Sequence, residues 1–170
     1  MNISRIKYND ISNGFGVRTS VFISGCERHC PGCFNPETWN YDNGEPLTQD
    51  LVEEIIQSLS PEYIDGISIL GGEPLSERNF WSTIGLLSEI KQRSPRSTVW
   101  LFTSYKFEDL RRDGYMCILD KYVDVLKDGE FIEAEKDVGL LFRGSRNQRL
   151  IDIKETYRQC QIVELKGRLE

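Results

Sequence analysis

Three cysteines within eight residues restrict this chain more than any other feature. Cys26, Cys30 and Cys33 follow an apolar, β-like run over residues 17–23. Crowded thiolates repel one another unless a positive centre holds them, and such soft ligands select zinc, copper(I) or an iron–sulfur cluster. The Pro-Gly pair before the third cysteine permits the turn that brings three sulfurs together. The chain is therefore predicted to fold around a metal centre carried on a loop after a strand.

The number of closely spaced ligands is three, which favours an open metal centre. A closed zinc site or a ferredoxin-type cluster uses four protein ligands, whereas an open position binds something besides protein. A structural zinc would need a fourth ligand from His29, Cys117 or Cys160. His29 lies inside the loop itself, and the two distant cysteines have the apolar or mixed contexts of inert thiols. A disulfide is least favoured, because five cysteines leave one unpaired and residues 1–13 lack a signal-peptide core.

Length and charge set the class of protein. The chain has 170 residues, so one domain over 1–170 is expected, with a core of 2–152 and a tail of 153–170. A complete eight-unit barrel needs about 250 residues. The net charge of −6 argues against nucleic-acid binding. No apolar run reaches the roughly 20 residues of a membrane span. Free, crowded thiols predict a reducing, cytoplasmic location.

Apolar runs and helical periodicities alternate along the chain. The predicted strands cover residues 17–23, 66–70, 97–103 and 122–127, with weaker candidates at 2–9, 140–142 and 161–165. The predicted helices cover residues 48–59, 76–93 and 107–119. This order predicts an α/β fold, a mostly parallel sheet with outer helices that right-handed crossovers curl into part of a barrel. Loops after parallel strands gather at one rim, so the site is expected there.

Four further stretches at that rim are candidates for binding. Gly71 and Gly72 leave room for a ligand near the backbone, and Glu73 adds a carboxylate, although a plain turn has the same pattern. The other three are the Thr-Ser pair at 103–104, the Asp-Gly pair at 128–129 and the three arginines within 143–149. Their structural alternatives are a helix cap, a hairpin turn and a solvated loop.

The Cys-x3-Cys-x2-Cys spacing resembles the radical S-adenosylmethionine superfamily. Within it, Cys-Pro-Gly-Cys-Phe-Asn, Gly-Gly-Glu-Pro at 71–74, residues 102–105, residues 124–131 and Arg-Gly-Ser-Arg-Asn-Gln-Arg at 143–149 resemble the activating proteins of anaerobic ribonucleoside-triphosphate reductase. The chain departs from these patterns at three positions. Gly32 stands where an aromatic residue is common, Ser104 replaces a glycine, and Glu130 replaces a residue that is often basic.

The resemblance implies a fold, a reaction and a set of site residues. It implies a partial TIM-type radical SAM barrel with one 4Fe–4S cluster on Cys26, Cys30 and Cys33. It further implies reductive cleavage of S-adenosylmethionine, a glycyl radical formed on the large subunit of the reductase, and a flavodoxin or ferredoxin as electron donor. The residues expected to contact S-adenosylmethionine are Gly32, Cys33, Phe34, Gly71, Gly72, Glu73, Thr103, Asp128 and Arg143.

The arginine-rich stretch has a second expected role. Arg146 and Arg149 are expected to dock the partner protein, whereas Arg143 is expected to reach the cofactor. Two alternatives stay open at this point. One is a small-molecule radical enzyme such as a 7-carboxy-7-deazaguanine synthase, and the other is a non-catalytic zinc or iron–sulfur module.

Overall fold

The computed structural model describes residues 1–165 and forms one seven-stranded sheet with helices between the central strands. The strands are β1 (Asn2–Asp10), β2 (Val17–Ile23), β3 (Glu45–Pro46), β4 (Ile64–Gly71), β5 (Thr98–Phe102), β6 (Val125–Asp128) and β7 (Arg149–Asp152). The helices are α1 (Gln49–Ser58), α2 (Phe80–Arg93), α3 (Phe107–Arg112), α4 (Met116–Leu119) and α5 (Ile153–Gln159). Short 3₁₀ helices cover Pro36–Trp39 and Glu133–Glu135.

The sheet is open and parallel only in its centre. Its strand order is β3-β1-β2-β4-β5-β6-β7. Strands β2, β4, β5 and β6 pair in parallel, while β1, β3 and β7 run antiparallel to their neighbours. In register, Ile23 lies opposite Gly71, and Phe102 lies opposite Lys127. The carboxyl ends of these four strands therefore meet at one rim, as expected for parallel strands.

The two faces of the sheet carry different packing, because successive strand residues point to opposite sides. Val99 and Leu101 pack into the main core with residues of all five helices. Trp100 instead packs on the other face in a smaller cluster that includes Phe15 and Phe142. Within residues 1–165 the five α-helices therefore cover one face, and the opposite face is left for loops and a cavity.

Most of the predicted elements are confirmed. Helix α1 begins after Thr48, whose hydroxyl accepts a hydrogen bond from the Leu51 N–H at 3.3 Å. The third predicted helix is broken around Gly114, where φ is +83°, into α3 and α4. The α/β class and the mostly parallel centre are confirmed as well. The curled, partial-barrel form stays a prediction.

Several predicted boundaries are wrong. Ser76 does not cap α2, which begins four residues later after Asn79. Residues 140–142 form no strand, and the strand in that region is β7. Within the tail of 153–170 only a weak strand candidate at 161–165 is predicted, yet α5 begins there with Asp152 as its cap. Glu164 then bridges to Ile151, so the tail covers the open edge of β7. Within residues 1–165, no helix has the length and apolar character needed to cross a bilayer.

Candidate metal centre and its cavity

The cysteine loop leaves β2 at the rim and is pinned by its neighbours. The Gly25 N–H donates to the carbonyl of Thr38 at 2.7 Å, and the Cys26 N–H donates to that of Trp39 at 3.1 Å. On the other side, the Glu73 N–H donates to the Gly25 carbonyl at 2.8 Å. The loop is thus held by backbone hydrogen bonds to two separate segments before any metal is considered.

Cys26, Cys30 and Cys33 all line one cavity of about 380 Å³ at the rim. None of the three is in a disulfide, and Cys30 is only 8% exposed. Cys117 and Cys160 are exposed and do not line this cavity. The structure therefore separates the five cysteines into three at a shared site and two on the surface, as their spacing predicts.

The surroundings of Cys26 and Cys30 disfavour the ionised form of their thiols. Burial raises the pKa of Cys26, and the nearby carboxylate of Glu73 adds to that shift. Burial likewise raises the pKa of Cys30, and the charge of Glu130 adds to it. Thiolates at these positions need a positive partner, which a metal centre supplies.

The donor set fits an iron–sulfur cluster. Among residues 1–165, no three His, Cys, Asp or Glu side chains converge closely enough to hold a single metal ion. The three cysteines of a cubane cluster bind three different irons, so they do not need to converge on one ion. Soft thiolates and a cavity beside them are what such a cluster requires.

The two glycines at the end of β4 serve the packing of the rim itself. Gly71 has a φ of +108°, and a Cβ on Gly72 would lie 2.5 Å from the carbonyl oxygen of Gly25. The Gly72 N–H donates to the Ile23 carbonyl at 2.7 Å. Both glycines also line the cavity. Their lack of side chains lets the turn after β4 lie directly against the cysteine loop.

Glu73 is 2% exposed, and its carboxylate accepts four hydrogen bonds from the protein. One oxygen accepts from the Leu75 N–H at 3.0 Å and from the Thr103 hydroxyl at 2.7 Å. The other accepts from the Ser104 N–H at 2.8 Å and from the Ser104 hydroxyl. A carboxylate offers about four acceptor sites, so all of them are used. Glu73 thus ties the turn after β4 to the loop after β5.

Ser104 extends this connection to the cysteine loop. Its hydroxyl oxygen also accepts a hydrogen bond from Arg28 Nε at 3.1 Å. Arg28 lies between the first two cysteines, and its guanidinium lies 4.6 Å from the centre of the Tyr105 ring. Three rim loops are therefore joined through one serine side chain, at the position where the resemblance led us to expect a glycine.

Arg143 lines the same cavity and has an unused donor. Its Nε is buried, and within the part of the chain that the structure describes it has no hydrogen-bond partner. Its Nη1 makes only a long hydrogen bond, at 3.4 Å, to the Gln148 carbonyl. A half-buried guanidinium with a buried, free Nε–H suits an anionic group, because such groups accept charge-assisted hydrogen bonds.

Asp128 and Lys127 occupy opposite faces of β6. Asp128 does not line the cavity; its carboxylate accepts from the Phe107 N–H at 2.9 Å and forms an ion pair with Arg149. Lys127 lines the cavity instead, and burial lowers its pKa to about 8. The alternation of strand side chains turns Asp128 toward α3 and away from the cavity, so its expected contact with a cofactor stays a prediction that the cavity lining does not support.

The remaining residues of the arginine motif hold the loop between β6 and β7. Gln148 is buried, and its side-chain oxygen accepts from the Gly144 N–H at 2.8 Å while its amide donates to the Gly129 carbonyl at 2.9 Å. Arg149 also bonds both oxygens of Glu108, at 2.8 and 2.7 Å. Arg146 is exposed, with one ion pair of 3.8 Å to Asp137. Arg146 is thus exposed to solvent, whereas Arg149 is held by Asp128 and Glu108; the expected docking role of both stays a prediction.

Seven of the nine residues expected to contact a cofactor line the cavity, and Gly32 and Asp128 do not. A Cβ on Gly32 would lie 2.7 Å from an oxygen of Glu133, so this glycine lies against the following loop. The cavity also includes residues to which sequence analysis assigned neither a cluster contact nor a cofactor contact: Ser12, Asn13, Arg28, Asn35, Leu70, Phe102, Ser104, Lys127, Gly129, Phe131, Leu140, Phe142, Gly144 and Gln148. Strand alternation could have identified Lys127 and Phe102 as cavity residues, whereas no sequence pattern indicated Ser12 and Asn13.

Fold and site together define an α/β protein that presents three thiols and an arginine with a free Nε–H at the rim of a sheet whose centre is parallel. Residues 12–151 match the family described as "4Fe-4S single cluster domain". Over 150 residues, the chain is 38% identical to the anaerobic ribonucleoside-triphosphate reductase-activating protein of Escherichia coli K12, covering 87% of this chain and 96% of that relative.

Two further relatives carry the same name. The protein of Haemophilus influenzae is 33% identical over 150 residues, with 87% of this chain and 96% of the relative covered. The protein of Enterobacteria phage T4 is 42% identical over 100 residues, which cover 59% of this chain and 64% of that relative, slightly under two thirds of its length. The chain belongs to the 4Fe–4S single cluster domain family and, within it, to the anaerobic ribonucleoside-triphosphate reductase-activating proteins.

Proposed function

We propose that this protein reductively cleaves S-adenosylmethionine at one 4Fe–4S cluster held by Cys26, Cys30 and Cys33. The observation that carries the proposal is that these three thiols share a cavity with the unpartnered donor of Arg143. Three cysteines leave one iron of a cubane without a protein ligand, and a cavity of about 380 Å³ is within the range of small-molecule sites. When bound, the cluster supplies one electron to the sulfonium of S-adenosylmethionine, whose sulfur–carbon bond breaks to give methionine and a 5′-deoxyadenosyl radical.

The chain's own side chains would bind and orient the substrate. Arg143 would donate its free Nε–H to the methionine carboxylate, a charge-assisted hydrogen bond between groups of opposite charge. Phe34 lies 5.2 Å from Phe131, ring centre to ring centre, and both rings line the cavity. They would cover the reacting atoms and keep water away from a radical.

Glu73 would act on the substrate chiefly by holding the wall of the cavity. Its four acceptor sites are filled by Leu75, Thr103 and Ser104, so a direct bond to the substrate's amino group would require one of these to move. Its negative charge nevertheless lies at the cavity and would favour a cationic amino group there.

The partner would be the large subunit of an anaerobic ribonucleoside-triphosphate reductase, the protein on which this chain would form a glycyl radical. The support is the name shared by the relatives, together with an open sheet whose free face carries the cavity. A partial barrel of this kind would admit a loop of another protein. The electron would come from a flavodoxin or a ferredoxin.

The test measures the cluster, the cleavage and the radical separately on the full chain. Protein reconstituted without oxygen should contain iron and sulfide near four per chain and release 5′-deoxyadenosine when dithionite and S-adenosylmethionine are added. Addition of the reductase should then produce a glycyl radical signal in electron paramagnetic resonance spectra. Zinc without iron would contradict the cluster. Release of 5′-deoxyadenosine with no radical on the reductase would contradict the partner.

A further inference from the structure

Glu130 places a carboxylate beside one of the three cavity cysteines. Its Oε1 lies 3.7 Å from Cys30 Sγ, within hydrogen-bond range for a thiol donor. The backbone at Glu130 is fixed, because its carbonyl accepts a hydrogen bond from Asn147 Nδ2 at 2.8 Å. Cys30 is buried and Glu130 is exposed, so the carboxylate contacts the thiol from the solvent side.

A second carboxylate stands next to the first. A Cβ built on Gly32 would lie 2.7 Å from Glu133 Oε1, so this carboxylate lies against the turn between Cys30 and Cys33. Within residues 1–165, neither Glu130 nor Glu133 forms an ion pair with a lysine or arginine. The cysteine loop is therefore bordered on this side by two carboxylates that no ion pair neutralises, while the Lys127 ammonium lies in the cavity on the sheet side.

These charges oppose the addition of an electron at the site. The reduction potential of an iron–sulfur cluster depends on net charge, on hydrogen bonds to its sulfurs and on solvent exposure. Once Cys30 is a thiolate, an ionised Glu130 has no proton to donate to it and only repels it. A carboxylate here therefore stabilises the oxidised cluster, whereas a basic residue would stabilise the reduced one.

We propose that Glu130 lowers the reduction potential of the cluster, with a smaller contribution from Glu133. The inference rests on the proposed function, since it takes Cys30 to be a cluster ligand. A lower potential makes the reduced cluster a stronger one-electron reductant of the sulfonium. The same property makes the cluster harder for an electron donor to reduce.

The test is the midpoint potential of the reconstituted full-length protein, without S-adenosylmethionine and without a partner. Dithionite supplies one electron per cluster and is itself oxidised, and electron paramagnetic resonance reports the reduced fraction. We expect the potentials to rise in the order wild type, Glu130→Gln, Glu130→Lys. The change from wild type to Glu130→Gln should raise the equilibrium constant for cluster reduction by about tenfold, which is 59 mV for a one-electron couple.

Glu135→Gln is the matched control. It removes the same charge from the same loop, and among the described residues the Glu135 carboxylate makes no hydrogen bond to a cysteine sulfur. Its shift should be less than half of that of Glu130→Gln. Raising the salt concentration should shrink the Glu130 effect, because the side chain is exposed and its charge is screened.

Two results would overturn the inference. Potentials that agree between wild type and Glu130→Lys would show that this carboxylate does not act on the cluster. Equal shifts in Glu130→Gln and Glu135→Gln would show only an effect of net charge. Iron content and circular dichroism establish that each variant is folded and loaded, and Glu130→Gln serves if Glu130→Lys fails to load. A wild type without any cluster would refute the proposed function and this inference together, whereas a loaded wild type with unchanged variants refutes this inference alone.

Discussion

Each end of the sheet holds an arginine, buried at one end and half-buried at the other, and the two differ in how fully their donors are used. At the amino end, Arg18 is 1% exposed and donates five hydrogen bonds: to Ser68 Oγ at 2.9 Å, the Phe15 carbonyl at 3.1 Å, Thr98 Oγ1 at 3.0 Å, the Ile67 carbonyl at 2.7 Å and the Thr98 carbonyl at 2.8 Å. At the carboxyl end, Arg143 leaves its Nε without a partner in the described part of the chain. A complete hydrogen-bond frame stabilises the fold, and an incomplete one is available to a ligand.

Ranked by volume alone, the cavity at the amino end of the sheet would precede the cavity that holds the cysteines. A cavity of about 570 Å³ lies at the amino end, lined by residues that include Arg18, Asp65 and Arg96. The cavity with the cysteines is smaller, about 380 Å³. At the amino end, burial lowers the pKa of Arg18 to about 10, which leaves it charged at neutral pH but with every donor direction occupied by the protein. The chemistry of the lining, rather than volume, distinguishes the two ends.

The largest expected effect concerns the thiols at the carboxyl end. Each of Cys26→Ala, Cys30→Ala and Cys33→Ala should abolish stable cluster assembly, because each removes one of only three ligands. Cys117→Ala and Cys160→Ala should keep it, since both residues are exposed and lie outside the cavity. Iron content and visible absorbance after anaerobic reconstitution measure the outcome. Loss of the cluster in Cys117→Ala would show that the set of ligands extends beyond the rim.

The next prediction compares the two arginines directly. Arg18→Met should lower the free energy of unfolding by about 3 kcal/mol or more, because several buried acceptors lose their partner at once. Arg143→Met should change that free energy by less than about 0.5 kcal/mol and instead weaken S-adenosylmethionine binding about tenfold or more. Urea unfolding and calorimetry on the loaded protein provide the two measurements. An equal loss of stability in both variants would remove the distinction between the two ends.

A smaller effect should separate two arginines of the same motif. Arg149→Met should cost about 2 kcal/mol of stability, because it strips charged hydrogen bonds from the buried Asp128 and from Glu108. Arg146→Ala should leave stability within about 0.5 kcal/mol, as for most surface changes, and lower radical formation on the reductase without lowering 5′-deoxyadenosine release. If both readouts fall in Arg146→Ala, this residue belongs to the site or the fold. If neither falls, it is an ordinary solvated side chain.

The smallest effect is expected at Glu73. Glu73→Gln places an amide N–H₂ where the Ser104 N–H and hydroxyl now donate, so one wall of the cavity should loosen while the cluster is retained. S-adenosylmethionine affinity should fall about tenfold, because the cavity wall loosens and the negative charge that favours a cationic amino group is lost. Glu77→Gln, a nearby exposed change, is the control. Calorimetry on the loaded protein measures both, and unchanged affinity in Glu73→Gln would assign Glu73 to the fold alone.

Local patterns in the sequence determined the parts of the molecule that depend on near neighbours. The spacing of Cys26, Cys30 and Cys33 is enough to bring their side chains together, because a short loop cannot separate them. Helix α1 and its Thr48 cap follow from apolar periodicity and one hydroxyl. The rim location follows from the alternation of strands and helices, since parallel strands must place their following loops at the same end.

Only the tertiary structure shows which polar side chains already have hydrogen-bond partners within the protein. Glu73 and Ser104 lie in different loops, and Asp128 and Arg149 lie on different strands, so no sequence pattern shows that each pair is bonded. The direction of Asp128 depends on the register of β6, where one residue reverses the face. Arg143 and Arg149 look alike in the motif. The folded chain pairs Arg149 with the distant Asp128, whereas Arg143 keeps a free donor at the cavity. Hydrogen-bond partners across a sheet are a property of the folded chain, because they join residues that sequence distance keeps apart.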